Sequence, residues 1–288
     1  VMHRFMRVLG LQGKSFLPLS LGFGCNVPAV MGARIVEESG GRLLTILLVP
    51  LVPCSARLAV LAFLTPIFFG PAALPVAVGL VALNLAVFAV TGVVLSRTVF
   101  RGRRTPFIME LPLYHVPRVR TIAWFVWDKT LTFLRNAGTT IVLLSVLVWA
   151  AAYFPRGGLD GSYLAQFGRA LAPMGAAMGL DWRMLVALLT GFIAKENAVA
   201  TLGILYTSGS AGAPLAGTLA AQVSPAAALA FLTATMLFIP CVATVAAMRQ
   251  ETGSWRWTLF GVTLVLGIAV GVATVVYQLA RLGALAMN

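Results

Sequence analysis

The sequence predicts an all-α, polytopic membrane helix bundle, and three observations lead to it. Hydrophobic residues fill 60 % of the 288 positions and charged residues only 10 %, where an ordinary soluble domain carries about a quarter charged residues. Mean hydropathy is +0.95. Apolar stretches of about 18 residues or more recur along the chain, each long enough to cross a hydrocarbon core of roughly 30 Å as a helix. Because these runs are continuous and do not alternate with polar residues, helices rather than a β-barrel satisfy their backbone in lipid.

The first apolar stretch, 16–33, holds Pro18 and Pro28 around Gly22-Phe23-Gly24-Cys25-Asn26. It is too interrupted for a plain helix and reads as broken or re-entrant, a backbone tolerated at membrane depth only where protein buries it or it lines a cavity. About six spans are expected, at 43–69, 74–96, 136–154, 184–206, 225–248 and 257–280. Between them, Arg97, Arg101, Arg103, Arg104, Arg118, Arg120, Lys129 and Arg135 cluster in one segment. That is the signature of a cytoplasmic loop, held inside by its charge and drawn to anionic lipid. Residues 118–135 mix these cations with Trp124, Phe125 and Trp127, as an interfacial amphipathic helix does. The uncharged, small-residue segment 207–224 reads as a loop.

Lys and Arg number 21 against 8 acidic residues, a net charge of +13. With no aromatic-basic binding module beside it, this excess indicates membrane topology and no nucleic-acid partner. Three cysteines are too few for a disulfide framework and read as free thiols. His3 and His115 are isolated and lack metal-ligand spacing. Gly13-Lys14-Ser15 has the ending of a phosphate-binding loop, but its upstream glycine would stand where Val8 is, so nucleotide hydrolysis is not expected. No cleavable signal peptide is recognised, and a chain that begins at Val1 reads as a fragment.

Two short words recur. Gly22-Phe23 before Cys25-Asn26 is echoed by Gly191-Phe192 before Lys195-Glu196-Asn197, and Pro53-Cys54-Ser55-Ala56 by Pro240-Cys241-Val242-Ala243. Interrupted helices at corresponding places in two halves point to a transporter site near the bilayer midplane. The second half has about 50 residues more ahead of its Gly-Phe word than the first, so membrane segments are expected upstream of Val1.

Cys25, Cys54 and Cys241 each stand beside a proline or in a glycine-rich break, where carbonyls are released from helical pairing. Thiolate sulfur with such oxygens suits Fe²⁺, Zn²⁺ or Cu(I) better than Na⁺ or Mg²⁺. The competing reading packs the cysteines as small hydrophobes. Metal binding deprotonates a thiol, so affinity is expected to fall as pH drops below neutrality. Lys195 and Glu196 lie inside an apolar span, where each charge costs about 2.5–3.5 kcal/mol. Glu196 is accordingly a candidate cation ligand or gate, with Lys195 balancing it; a structural pair locking a helix break is the alternative. Arg57 follows Cys54 on the same helical face and opposes a metal there unless Glu196, Glu37 or a helix C-terminus neutralises it. A structural anchor is its expected role. Glu110 and Glu251 are expected as interfacial helix caps.

The words Gly10-Leu11-Gln12-Gly13-Lys14-Ser15-Phe16, Cys25-Asn26-Val27-Pro28-Ala29, Pro53-Cys54-Ser55-Ala56-Arg57-Leu58, Met109-Glu110-Leu111-Pro112, Ala194-Lys195-Glu196 and Pro240-Cys241-Val242-Ala243-Thr244 resemble the membrane region of the ferrous iron transport protein B family. The similarity runs from about residue 2 to residue 280. It implies a bacterial inner-membrane, multi-pass importer of Fe²⁺ built from two pseudo-symmetric Gate-type repeats, also called nucleoside-recognition domains. The first, N-terminally incomplete, would occupy 1–96, the basic loop and interfacial helix 97–135, and the second repeat with the C-terminal helices 136–288. By the same resemblance Cys25, Cys54, Cys241 and Glu196 are the metal residues; Asn197 and Ala198 depart from the small β-branched residues members often carry there. Family members also have an N-terminal GTPase domain, a helical regulatory domain and further membrane helices. None is recognised in this chain, which is therefore not expected to be an enzyme, GTP acting only through the missing domain. Implied partners are Fe²⁺, the lipid bilayer, that GTPase domain and small accessory Feo-type proteins, and a homo-oligomer is compatible with the pattern. The rival readings are a nucleoside or small-solute carrier and a non-transporting membrane subunit.

Overall fold

A computed structural model of the chain describes residues 6, 10–11, 13–100, 118–154, 161–207, 215–238 and 240–286. His3, Glu110, His115 and the arginines at 101, 103 and 104 lie outside the described residues. Among the described residues the architecture is all-α, with no strand. The principal helices are α1 (Phe16–Gly22), α2 (Asn26–Gly32), α3 (Ser39–Leu48), α4 (Ser55–Phe69), α5 (Ala73–Thr98), α6 (Val119–Tyr153), α7 (Tyr163–Ala176), α8 (Trp182–Ile193), α9 (Lys195–Thr207), α10 (Leu215–Gln222), α11 (Pro225–Leu237), α12 (Val242–Thr252) and α13 (Trp255–Ala286). Among the described residues three stretches are long and apolar enough to cross a membrane: Ser39–Thr98, Pro225–Thr252 and Trp255–Gly283.

Helix α11 is the centre of the bundle. Residues Ala227, Ala228 and Ala230–Leu237 are all buried, so it is apolar on every side and contacts α13, α4, α5 and α8. Its closest neighbour α13 presents Val265, Ala269 and Ala273, each fully buried and four residues apart, so that small side chains let the two backbones approach. The opposite surface of α13 exposes Leu259, Val275, Leu279 and Leu282, as a lipid-facing helix would.

Four interruptions depart from the simple spans. The apolar segments 43–69 and 225–248 are each broken at their Pro-Cys word: a short 3-10 turn, Val49–Leu51, and an extended Cys54 separate α3 from α4, while α11 ends at its C-cap Phe238 and α12 begins at its N-cap Cys241. A proline offers no N–H and pushes the residue before it out of helical conformation. The segment 184–206 is not a through-going span. It folds back on itself at the extended Ala194, so that Asp181 before α8 meets Tyr206 near the end of α9 and Thr190 meets Thr201. Gly191 permits this, since a Cβ there would stand 3.2 Å from that of Ala198. The expected break in 16–33 has the same form. Helices α1 and α2 fold back at Gly24-Cys25, bringing Gly32 against Pro18 and Leu21.

Two other segments differ from expectation. The interfacial helix and the span after it are one continuous helix, α6, whose first turns expose Val119, Trp124, Phe125 and Trp127. The loop 207–224 contains α10, and the connection 155–183 contains α7, whose Ser162 cap accepts from the Ala165 N–H. The turn from α7 into α8 depends on Gly179, at φ +67°, with the Leu180 N–H returning to the Gly175 carbonyl. A Cβ on Gly179 would lie 2.1 Å from the Tyr277 ring of α13. Gly179→Ala is therefore expected to destabilise the fold by roughly 2–4 kcal/mol, from a left-handed non-glycine residue and overpacking together. Thermal unfolding in detergent measures it, and an unchanged midpoint would contradict the account.

Candidate functional site

The four interruptions converge, and the polar groups they release explain how. Pro240 cannot donate to the Met236 carbonyl one turn before it; Asn84 of α5 does so instead, through Nδ2 at 3.4 Å. Phe238, where α11 ends, and Pro50, in the turn after α3, likewise have carbonyls with no helical N–H to accept. Arg57 of α4 supplies both: Nη1 donates to Pro50 O at 2.7 Å and Nη2 to Phe238 O at 2.7 Å, across 181 residues of sequence. Its side chain is fully buried, and Nε lacks a hydrogen-bond partner. The partner that neutralises Arg57 is thus a pair of helix C-terminal carbonyls, where the macrodipole is negative. Glu37 instead pairs with Lys14 at 2.6 Å.

Each fold-back tip meets the broken helix of its own half. At the first, Ser55 donates to the Gly24 carbonyl from its N–H at 3.3 Å and from its hydroxyl at 2.7 Å, joining the Cys25 tip to the start of α4. At the second, the Lys195 ammonium lies 5.5 Å from the centre of the Phe238 ring. Lys195 is buried at 5 % exposure, within electrostatic reach of Arg57, Cys54, Cys241 and Glu196. Cys25 and Ala194, the two tip residues, share an extended backbone, φ −152° and −144°. Asn26 and Lys195 follow them as buried first residues of α2 and α9.

The sequence-derived metal residues occupy this region unequally. Cys25 is exposed at the first tip, and Cys54 and Cys241 are half-buried at the two Pro-Cys breaks. Cys25 lies within electrostatic reach of both other thiols. Cys241 Sγ is 3.2 Å from the hydroxyl of buried Thr244. Glu196 is exposed in the first turn of α9, favoured there by the helix dipole. Among the described residues no three His, Cys, Asp or Glu side chains gather as a closed metal cluster. The region offers single thiols beside released carbonyls, and the buried amide oxygens of Asn26 and Asn84 have no hydrogen-bond partner. Such an arrangement can pass a soft cation between weak sites; a four-ligand cage would retain it.

Two further acidic groups, Glu251 and Asp181, act structurally. Glu251, on the last turn of α12, is held by Arg34 after α2: Nε donates to both carboxylate oxygens at 2.9 and 2.7 Å, and Nη2 lies 2.7 Å from Oε1. It ties the first fold-back to α12 and is no helix cap. Asp181 caps α8 by accepting from the Met184 N–H at 2.9 Å and also accepts from the Tyr206 hydroxyl at 2.8 Å. Sequence reasoning did not single out Asn84 or Phe238. A buried amide in an otherwise apolar helix was a visible signal for Asn84; nothing local marked Phe238.

Comparison with known proteins places the sequence among relatives. A family model described as ferrous iron transport protein B C terminus matches residues 77–129, and one described as nucleoside recognition, the Gate family, matches residues 1–68 and 134–255. The Fe(2+) transporter FeoB of Staphylococcus aureus is 39 % identical over 290 residues, covering 98 % of this chain and 43 % of the relative. That of Escherichia coli is 34 % identical over 338 residues, covering 97 % and 44 %. The Fe(2+) transport protein A/Fe(2+) transporter FeoB fusion protein of Porphyromonas gingivalis is 33 % identical over 330 residues, covering 97 % and 39 %. The chain spans about two fifths of the length of these relatives. No solved structure matches it.

Proposed function

The chain belongs to the ferrous iron transport protein B family, and from that premise we propose that it is the membrane pathway by which Fe²⁺ crosses into the cytoplasm. The observation that carries the reading is the convergence of the Cys25 tip with the Cys54 and Cys241 breaks, through Ser55–Gly24 and the double donation of Arg57. Fe²⁺ would be handed between thiols and released carbonyls, with Glu196 collecting the cation at the mouth. Weak, sequential ligation suits a transported ion, because each site must also let go.

In this reading the protein is multi-pass in the inner membrane, with about six crossings, and its two Gate-type halves, 1–96 and 136–288, flank the basic segment 97–135. The Gate matches on either side of that segment support the division. Energy would come from a GTPase domain elsewhere in the full-length protein, the chain itself performing no hydrolysis. A small accessory protein of the transport-protein-A type is a fitting partner, since the Porphyromonas relative carries one by fusion.

The test is anaerobic Fe²⁺ uptake into proteoliposomes holding the full-length protein, with Glu196→Gln alongside. The parent is expected to accumulate Fe²⁺, and the Gln variant to raise the half-saturating Fe²⁺ concentration by roughly 5- to 10-fold through loss of a charged ligand. Absence of uptake by folded, full-length parent protein would refute the transport reading. Unchanged uptake in the variant would remove Glu196 from the path.

A further inference from the structure

Arg57 reaches further than the role of anchor. It is a fixed, fully buried cation, one turn beyond Cys54, within electrostatic reach of Cys54 and Cys241. Its two donated bonds end on the two Pro-Cys interruptions, one in each half of the chain. The Phe238 it grips by the carbonyl is covered on its ring by Lys195 from the second tip. Ser55, two residues before Arg57, grips the first tip through Gly24. Every interruption is therefore linked, directly or through one intervening residue, to the short stretch Cys54–Arg57.

A divalent cation at Cys54 or Cys241 meets that guanidinium in a medium where like charges repel strongly. The two carbonyls are also the natural oxygen partners for such a cation, and while Arg57 donates to them their lone pairs face a positive group. Guanidinium and cation thus compete for the same place.

Resting on the transport reading above, we propose that Arg57 is a latch: it holds both Pro-Cys interruptions closed together, and a cation passes Cys54 and Cys241 only when Arg57 lets go of the Pro50 and Phe238 carbonyls. Arg57 is a positioning residue in this scheme and does not itself bind the ion. Joint release follows from the geometry, since one planar side chain makes both bonds and cannot swing from one carbonyl without straining the other.

The test uses the full-length protein and Arg57→Lys, which keeps the charge and loses the planar fork. Peptide-resolved maleimide labelling reads Cys25, Cys54 and Cys241 separately. The latch predicts that Cys54 and Cys241 label at least about tenfold faster in the variant, together, with Cys25 unchanged. Equal rates in variant and parent, or acceleration of one break alone, would overturn it. Should Arg57→Lys fail to fold, hydrogen exchange on the unmodified protein decides: saturating Fe²⁺ under anaerobic conditions is expected to speed exchange in peptides covering 49–54 and 236–241 in parallel. Exchange that stays constant, or rises in one peptide only, would overturn the latch. The two proposals fail separately. Fe²⁺ uptake by the parent with no change in labelling leaves transport standing without a latch, while joint labelling without uptake leaves the latch and removes the iron pathway.

Discussion

Replacing Cys54 or Cys241 with serine is expected to cut anaerobic Fe²⁺ uptake by roughly 10- to 100-fold, the scale on which changes at a metal site register. Serine is nearly isosteric, so the helix starts at Ser55 and Val242 should persist, and a serine at 241 still reaches the Thr244 hydroxyl. What changes is the donor: a neutral hydroxyl is a harder, weaker ligand for Fe²⁺ than a thiolate. The loss should appear at both positions, because the two breaks face one buried cation, Arg57, and a transported ion has to pass both. Circular dichroism and detergent elution on each variant separate lost transport from lost fold. Full uptake in folded serine variants at both positions would return the cysteines to the role of small packed hydrophobes.

Arg57→Met is expected to lower stability by roughly 2–6 kcal/mol, since it strands two buried carbonyls at about 1–3 kcal/mol each. Methionine keeps much of the stem volume and offers no donor. Part of the loss is offset, because the variant no longer buries a charge or leaves Nε without a partner. Unfolding by graded denaturing detergent measures the difference. A loss within about 0.5 kcal/mol, the range of ordinary surface substitutions, would mean that the Pro50 and Phe238 carbonyls gain nothing from the guanidinium.

Legibility followed the range of the interactions. At Pro53-Cys54 and Pro240-Cys241 the released carbonyls were readable, because proline lacks an N–H and restricts its predecessor, yet hydropathy drew 43–69 and 225–248 as unbroken spans through both words. The disturbed backbone at 16–33 was readable for the same reason. The fold-back at Ala194 was readable only in part: the echo of Gly22-Phe23 in Gly191-Phe192 marked an interruption, yet with no proline nearby hydropathy drew 184–206 as one straight span. Hydropathy averages over side chains and is blind to direction, so a hairpin of two short apolar helices and a single crossing score alike. Helices α7 and α10 escaped notice because their sequences lack the length and apolarity of a span.

Composition and hydropathy by themselves determined that the chain is helical and belongs in a membrane, because a backbone in lipid has few ways to satisfy its polar groups. The short Gly-Phe and Pro-Cys words marked disturbed backbone, and in their order they carry the family resemblance. Only the tertiary structure decided what the stops are for. Arg57 lies 181 residues from the Phe238 carbonyl it holds, and Lys195 was read beside Glu196 until the fold laid it on the Phe238 ring. A buried charge must find its partner wherever packing brings a released carbonyl or an aromatic face, and that meeting is a property of the assembled bundle, absent from any stretch of sequence.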